Sequence, residues 1–341
     1  MKKFASKLKK NFFVSLLVKL WKHPKGRLGL IIVAILALCA IFAPVIAPYD
    51  PYDVTERAAK GLSPSLQHPL GTTITTGQDI FSMLIYGTRV SLAVGVITGL
   101  CIAFLGALMG ILAGYVGGIV DTVIMRLVDV MLVIPTLPLT IVLTNLFGKS
   151  YFMIIFIFTI FGWQGLARVI RSQVLVLKSS NYIKAAELAG ASKWRIMTKH
   201  ILPGVTHLLI MSTAMTSAGI MVAEAGLSFL GLGDPTAISW GKMLAEVQSG
   251  GALLFGHWWW IAAPGVGIFL AIFSFMRIGM ALEEIFNPRM KQSGAAYKLF
   301  KSLNSTYIQG VFDSMNESDE AEKQSAARET EPEAVGGKTN D

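Results

Sequence analysis

The chain has 341 residues, 53% of them hydrophobic and 15% charged. A soluble domain carries roughly 25% charged residues, so this balance excludes an ordinary soluble protein. The net charge of +9 does not indicate nucleic acid, because lysines and arginines gather beside apolar runs, the pattern of membrane topology.

The chain opens with Phe4, Leu8, Phe12, Leu16 and Leu20 at intervals of four, with Lys3, Lys7 and Lys10 close by. This pattern predicts a basic amphipathic helix lying on the inner leaflet; the alternative is a disordered basic tail. Six apolar segments then follow, each long enough for a helix across a hydrocarbon core. They run roughly over Leu28–Ala47, Val90–Ala113, Thr122–Phe147, Tyr151–Ala167, Val205–Leu227 and Trp258–Met280. The first is too long for the apolar part of a signal peptide and lacks a good cleavage site. Cys39 and Cys101 lie inside apolar runs and predict neither a disulfide framework nor a metal site.

Nine lysines and arginines precede the first span, and the Arg168–Lys199 stretch is also basic. The positive-inside rule puts both in the cytoplasm, together with the C-terminus. Tyr49–Arg89 and Ser228–His257 then fall outside. The expected organisation is a cytoplasmic segment 1–27, a first span 28–48, an extracytoplasmic segment 49–87, a membrane domain 88–284 and a tail 291–341. Within that tail, Phe300, Leu303, Tyr307 and Val311 could form one helical stripe. Asp313–Asp341 is acidic and polar, the composition of disorder.

Catalytic constellations are not indicated. Phe-Gly-Lys-Ser at 147–150 and Gly-Gly-Lys-Thr at 336–339 resemble the end of a phosphate loop, but the glycine required upstream is replaced by Leu143 and Pro332. The five histidines show no close pair at metal-ligand spacing, so neither an enzyme nor a metal site is expected.

Several polar groups inside the spans call for an explanation. Arg126 and Asp129 lie three apart on one helical face and predict an ion pair. Pro135 and Pro138 release carbonyls in mid-span, which is tolerated where a helix packs on protein or lines a cavity. Glu224, near the end of the fifth span, either lines a path or fixes the glycine-rich turn that follows it. Trp258, Trp259 and Trp260 predict an interfacial belt, with substrate stacking as the alternative.

Asn181–Val205 interrupts the apolar pattern. Asn181 is a good N-cap, and Tyr182–Ala189 is rich in helix formers. Gly190 is expected to end this helix in the left-handed conformation. Ser192 can cap a second helix, which Pro203 is expected to stop. The prediction is a short helix–turn–helix projecting into the cytoplasm, with a knuckle of small residues.

This stretch resembles the EAA loop of permease subunits from binding-protein-dependent ABC importers. Ala185, Ala186, Gly190, Leu202 and Pro203 fall on the pattern in register, while Lys184 stands where the motif has its first Glu. His68–Thr72, Gly77–Ile80, Leu84–Leu92, Ala113–Gly118, Arg126 with Asp129, Glu224–Gly233 and Asn287–Arg289 extend the similarity. Together they resemble the C-type subunit of dipeptide, oligopeptide and nickel permeases up to about Lys291. The resemblance implies an all-α polytopic protein with six transmembrane helices and the type I ABC importer permease fold. It implies a second homologous permease subunit, two cytoplasmic ABC ATPase subunits and an extracytoplasmic solute-binding protein. ATP with magnesium would be used by the ATPases, with no cofactor on this chain and no nucleic acid. Lys184, Ala185, Ala186, Glu187, Leu188, Ala189, Gly190, Ala191 and Ser192 are the implied coupling residues. Peptides are the expected cargo; nickel or another solute is the alternative. A stand-alone channel or ion-coupled carrier is a reading of another class, and it leaves the loop unexplained.

Overall fold

The computed structural model describes residues 14–53, 58 and 60–286. Phe4, Leu8 and Phe12, the tail 291–341 and the Asn287–Arg289 motif lie outside the described residues. Among the described residues every regular element is helical, apart from one isolated bridge between Thr72 and Asp79. Residues 14–22 form the described part of α1. The succeeding helices are α2 (Pro24–Ile41), α3 (Ala43–Ile46), α4 (Ile80–Val116), α5 (Gly118–Val133), α6 (Thr136–Phe147) and α7 (Tyr151–Ile160). Then come α8 (Gln164–Lys178), α9 (Asn181–Leu188), α10 (Lys193–Ile196), a π-turn (Met197–Ile201), α11 (Leu202–Phe229), α12 (Trp240–Ser249) and α13 (Trp258–Phe286).

Four of these helical runs are long and apolar enough to cross a membrane, namely α2, α4, Lys193–Phe229 and α13. The count is six if the bent pairs α5–α6 and α7–α8 each form one span. The third expected span is therefore not one straight helix. Its halves meet at 85°, because Pro135 takes the extended conformation as N-cap of α6, and Ile134 before it is extended as well. The fourth bends by 40° after Ile160 and continues as α8 to Lys178. Arg168 and Arg171 are thus helical residues, continuous with the fourth span.

Helix α4 is the central post, touching α2, α5, α7, α8, α11, α12 and α13. It begins ten residues before the expected span, since Asp79 caps it by accepting from Ser82 N at 2.8 Å. His68 Nδ1 holds the other carboxylate oxygen at 3.0 Å, and the His68 ring stacks on Tyr49. Glycines let neighbours approach α4 closely, as in small-xxx-small membrane packing. A Cβ at Gly99 would run into Ser217 of α11. One at Gly110 would lie 2.6 Å from the Ala167 carbonyl, and one at Gly114 2.8 Å from Val174, both on α8. Helices α4 and α8 therefore run side by side in the same direction. At the Ile80 end, the Trp240 indole is wedged between Gly87 and Gly267, and its Nε1 donates to the Leu84 carbonyl at 3.1 Å.

Further departures from the sequence reading have local causes. Leu16 and Leu20 are buried against Ala281 and Leu282 of α13, while Val14, Leu17, Val18 and Trp21 are exposed. The face of α1 available to lipid is thus the neighbouring one. Trp260 belongs to the core and only Trp258 is exposed, since successive helical residues point about 100° apart and cannot share one belt. Pro203 does not stop its helix. It occupies the first turn of α11, where the missing N–H matters little. The π-turn before it relieves the clash of the ring with the preceding carbonyls, and Lys193–Phe229 runs on.

Candidate coupling site and solute path

The knuckle is built from a buried base and an exposed tip. Ile183 and Ile196 are fully buried, in a cluster with Ile111, Tyr115, Ile170, Val174 and Ile201. The N-cap of α9 is Ser180 rather than Asn181, which is the first helical residue. Gly190 has φ +76°, and its N–H donates to the Glu187 carbonyl while Ala191 N–H donates to Ala186. This pair of hydrogen bonds is the Schellman motif, which needs a left-handed residue at Gly190. Ser192 caps α10 by accepting from Arg195 N at 3.4 Å.

Beyond this base, Lys184, Ala185, Leu188, Ala189, Gly190 and Ser192 are exposed, and Ala186 and Ala191 are half-buried. Leu188 is 90% exposed at the tip. A large apolar side chain held out on a braced turn suits insertion into a partner's groove. Glu187 is exposed as well, and its Oε1 accepts from the Tyr115 hydroxyl at 3.0 Å. Lys178 Nζ donates to the Tyr115 carbonyl at 2.7 Å and lies over the Tyr115 ring. The knuckle is therefore tied to the Val116 end of α4.

Glu224 is 2% exposed, and its Oε1 accepts from Ser228 Oγ at 2.7 Å. This bond reaches into the start of the turn that follows, while Oε2 is buried with no hydrogen-bond partner among the described residues. Pro135 and Pro138 lie at the break and in the first turn of α6. Gly148 and Ser150, from the phosphate-loop lookalike, form the connection into α7, where Ser150 is the cap; Lys149 donates to the Gly231 carbonyl.

Asp129 does not pair with Arg126. Its Oδ1 accepts from Arg168 of α8 at 2.6 Å, and Asp121 makes a two-pronged pair with Arg171, also of α8. The sequence signal was there in part, since Asp121 and Asp129 lie eight apart, on one face of a helix. The arginines were missed because the apolar run ends at Ala167. An ionised side chain in mid-bilayer costs about 2.5–3.5 kcal/mol on insertion scales, so such groups mark packed or wet surfaces. Among the described residues no cluster of His, Cys, Asp and Glu could hold a metal.

Broken spans, glycine-packed helices and a braced, exposed knuckle define the membrane component of a transporter. Residues 106–292 match the family model of the binding-protein-dependent transport system inner membrane component. Residues 12–69 match that of the N-terminal TM domain of oligopeptide transport permease C. The chain belongs to the binding-protein-dependent transport system inner membrane component family. It is 34% identical over 277 residues to the dipeptide transport system permease protein DppC of Bacillus subtilis, covering 80% of this chain and 85% of that protein. It is 32% identical over 284 residues to the oligopeptide transport system permease protein OppC of the same organism, with 81% and 92% covered. To the glutathione transport system permease protein GsiD of Escherichia coli it is 36% identical over 261 residues, with 76% and 84% covered. The protein is thus a multi-pass inner-membrane permease component, non-catalytic itself, of a system that includes an ATPase and a binding protein.

Proposed function

We propose that this subunit carries peptides, from dipeptides to oligopeptides, across the inner membrane as one half of an ATP-driven importer. The observation that carries the reading is the Leu188–Gly190 tip, exposed on a rigid base in a chain of this family. In this reading Lys184–Ser192 docks on a cytoplasmic ATPase, which binds and hydrolyses ATP with magnesium. A second homologous permease completes the path, two ATPase subunits drive it, and a binding protein delivers solute from outside. Both termini lie in the cytoplasm, as the basic N-terminal segment favours. The cargo follows from the relatives, whose names give dipeptide, oligopeptide and glutathione, itself a short peptide.

The test is uptake of labelled peptides of graded length by a strain lacking the chain, with and without the restored gene. Restoration of peptide uptake is expected, together with co-purification of an ATPase on a tagged chain. Restored uptake of nickel instead of peptide would overturn the cargo, and transport without an ATPase would overturn the importer reading.

A further inference from the structure

The two interhelical ion pairs stand at different depths along α4. Arg171 lies level with Gly114, since a Cβ at Gly114 would sit 3.0 Å from the Arg171 carbonyl. Arg168 follows Ala167, whose carbonyl faces Gly110. Asp129 follows Val128, which shares a buried cluster with Ile102, Leu105 and Met109. The Asp129–Arg168 pair is therefore level with residues 105–110 of α4, roughly 9–16 Å from Val116 at 1.5 Å per residue. That depth is inside the apolar stretch of α4.

Yet this pair is half exposed, at 53% for Asp129 and 51% for Arg168. An arginine can reach toward an interface along its stem, but an aspartate has no such reach. Lipid against Asp129 would thus be costly. Between the two pairs is a recess of about 310 Å³ lined by Asp121, Thr122, Met125, Arg126, Asp129 and Arg171. Arg126 is exposed there, and no ion pair or hydrogen bond engages its guanidinium among the described residues. Three arginines face two aspartates, so the face carries one spare positive charge. The other exposed side chains of α5 include Ile119, Val123, Val130 and Val133, which flank Arg126 at helical spacing, and Val120 and Leu127, which are turned about 100° or more away from Thr122 and Arg126.

We propose that the α5–α8 face is the wetted wall of the solute path at the knuckle end of the membrane, and that Arg126 is a contact for a carboxylate of the passing solute. The concavity favours water and solute over a packed helix, which would have to fill the recess and pair the spare charge. The broken α5–α6 span borders this face, as irregular backbone at membrane depth requires a cavity or protein around it. The identity of the solute rests on the peptide reading above; the wetting of the face does not.

The test uses the assembled transporter in proteoliposomes, with Cys39 and Cys101 replaced by alanine. Thr122→Cys and Arg126→Cys are probed with a charged, membrane-impermeant methanethiosulfonate, in nucleotide-free and ATP-bound states. Val120→Cys and Leu127→Cys serve as the apolar face of the same helix, turned away from Thr122 and Arg126. Modification of the first pair at least about tenfold faster than the second, in one state or both, is expected from the exclusion of charge from lipid. Equally slow modification in both states would show a face sealed by lipid or by the second subunit, and would overturn the proposal. For the carboxylate contact, Arg126→Gln is expected to lower peptide uptake per permease by about fivefold, while Arg126→Lys restores most of it, as a point charge suffices. Unchanged uptake in Arg126→Gln would remove that part. Rapid modification of Thr122→Cys and Arg126→Cys in a transporter that imports no peptide would leave the wet wall standing and sink only the cargo reading.

Discussion

The Tyr115 hydroxyl donates to Glu187 Oε1 at 3.0 Å, joining the last turn of the central helix to the coupling knuckle. The bond ties the one carboxylate of α9, which stays exposed, to the central helix, so Glu187 braces the knuckle from its outer surface. If the proposed docking holds, a force applied at Leu188 would pass through this joint, and through the buried Ile183 and Ile196, into α4. Tyr115→Phe removes the hydroxyl and leaves the ring in place. A hydrogen bond of this kind contributes about 0.5–1.5 kcal/mol. Normal membrane levels are expected, with less peptide imported per ATP hydrolysed, because the knuckle moves with less effect on α4. An unchanged transport-to-hydrolysis ratio would show that the joint carries no load.

Close packing of α4 on α8 positions both the knuckle and the charged face. Gly110→Val would drive a side chain into the Ala167 carbonyl at 2.6 Å and Ile170 Cβ at 2.8 Å. Overpacking of this kind costs about 1–3 kcal/mol, and here part of the obstacle is backbone. A lower melting temperature of the purified transporter and reduced membrane level are expected. Gly165→Ala is the control: it lies in the first turn of α8 with nothing within 4 Å of the added carbon. It should melt at or above the wild-type temperature, as alanine favours a helix. Equal losses in both variants would argue against specific packing at Gly110.

How much of this was legible depended on where the governing forces lie. The knuckle follows from local chemistry, since Gly190, Ser192 and the alanines act within a few residues of themselves. The spans α2, α11 and α13 follow from apolar length. The break at Pro135 was visible as a residue but was read as continuous, because hydropathy does not register direction. Trp240 and α12 escaped notice because their burial depends on Gly87 and Gly267, far away in the chain. The pairing of Asp129 with Arg168 and of Asp121 with Arg171 is tertiary, so spacing within α5 pointed to Arg126 instead.

Glu246 on α12 gives a pH-dependent prediction outside the spans. Burial pushes its carboxyl above the ordinary value of 4.5, with the Lys242 ammonium opposing in part. Its Oε2 has no hydrogen-bond partner among the described residues. The folded state thus holds this proton more tightly than the unfolded state. Stability from this group is fully present below the unfolded value and declines as pH rises toward the raised folded value. Glu246→Gln keeps the shape without the ionisation. Thermal unfolding in detergent should show the variant melting above wild type at neutral pH, with the gap closing in acid. A gap that widens in acid would contradict the burial argument.

At Gly190 backbone and docking effects can be separated, because φ is +76° while a Cβ there meets nothing within 4 Å. Gly190→Ala therefore adds only the left-handed penalty, about 1–2 kcal/mol. That strain is confined to an exposed turn, so the variant should reach the membrane and keep most of its uptake. Gly190→Arg adds the same strain and also a long side chain beside Leu188, where a partner's groove would have to close. It should reach the membrane in similar amounts, yet lose most peptide uptake and most of the binding protein's stimulation of ATP hydrolysis. The informative quantity is uptake normalised to permease in the membrane, measured for both variants together. Equal defects would mean that the conformation of the turn matters and its exposed surface does not. Wild-type uptake from Gly190→Arg would mean that the ATPase acts on this subunit elsewhere, and the coupling role of Lys184–Ser192 would be withdrawn.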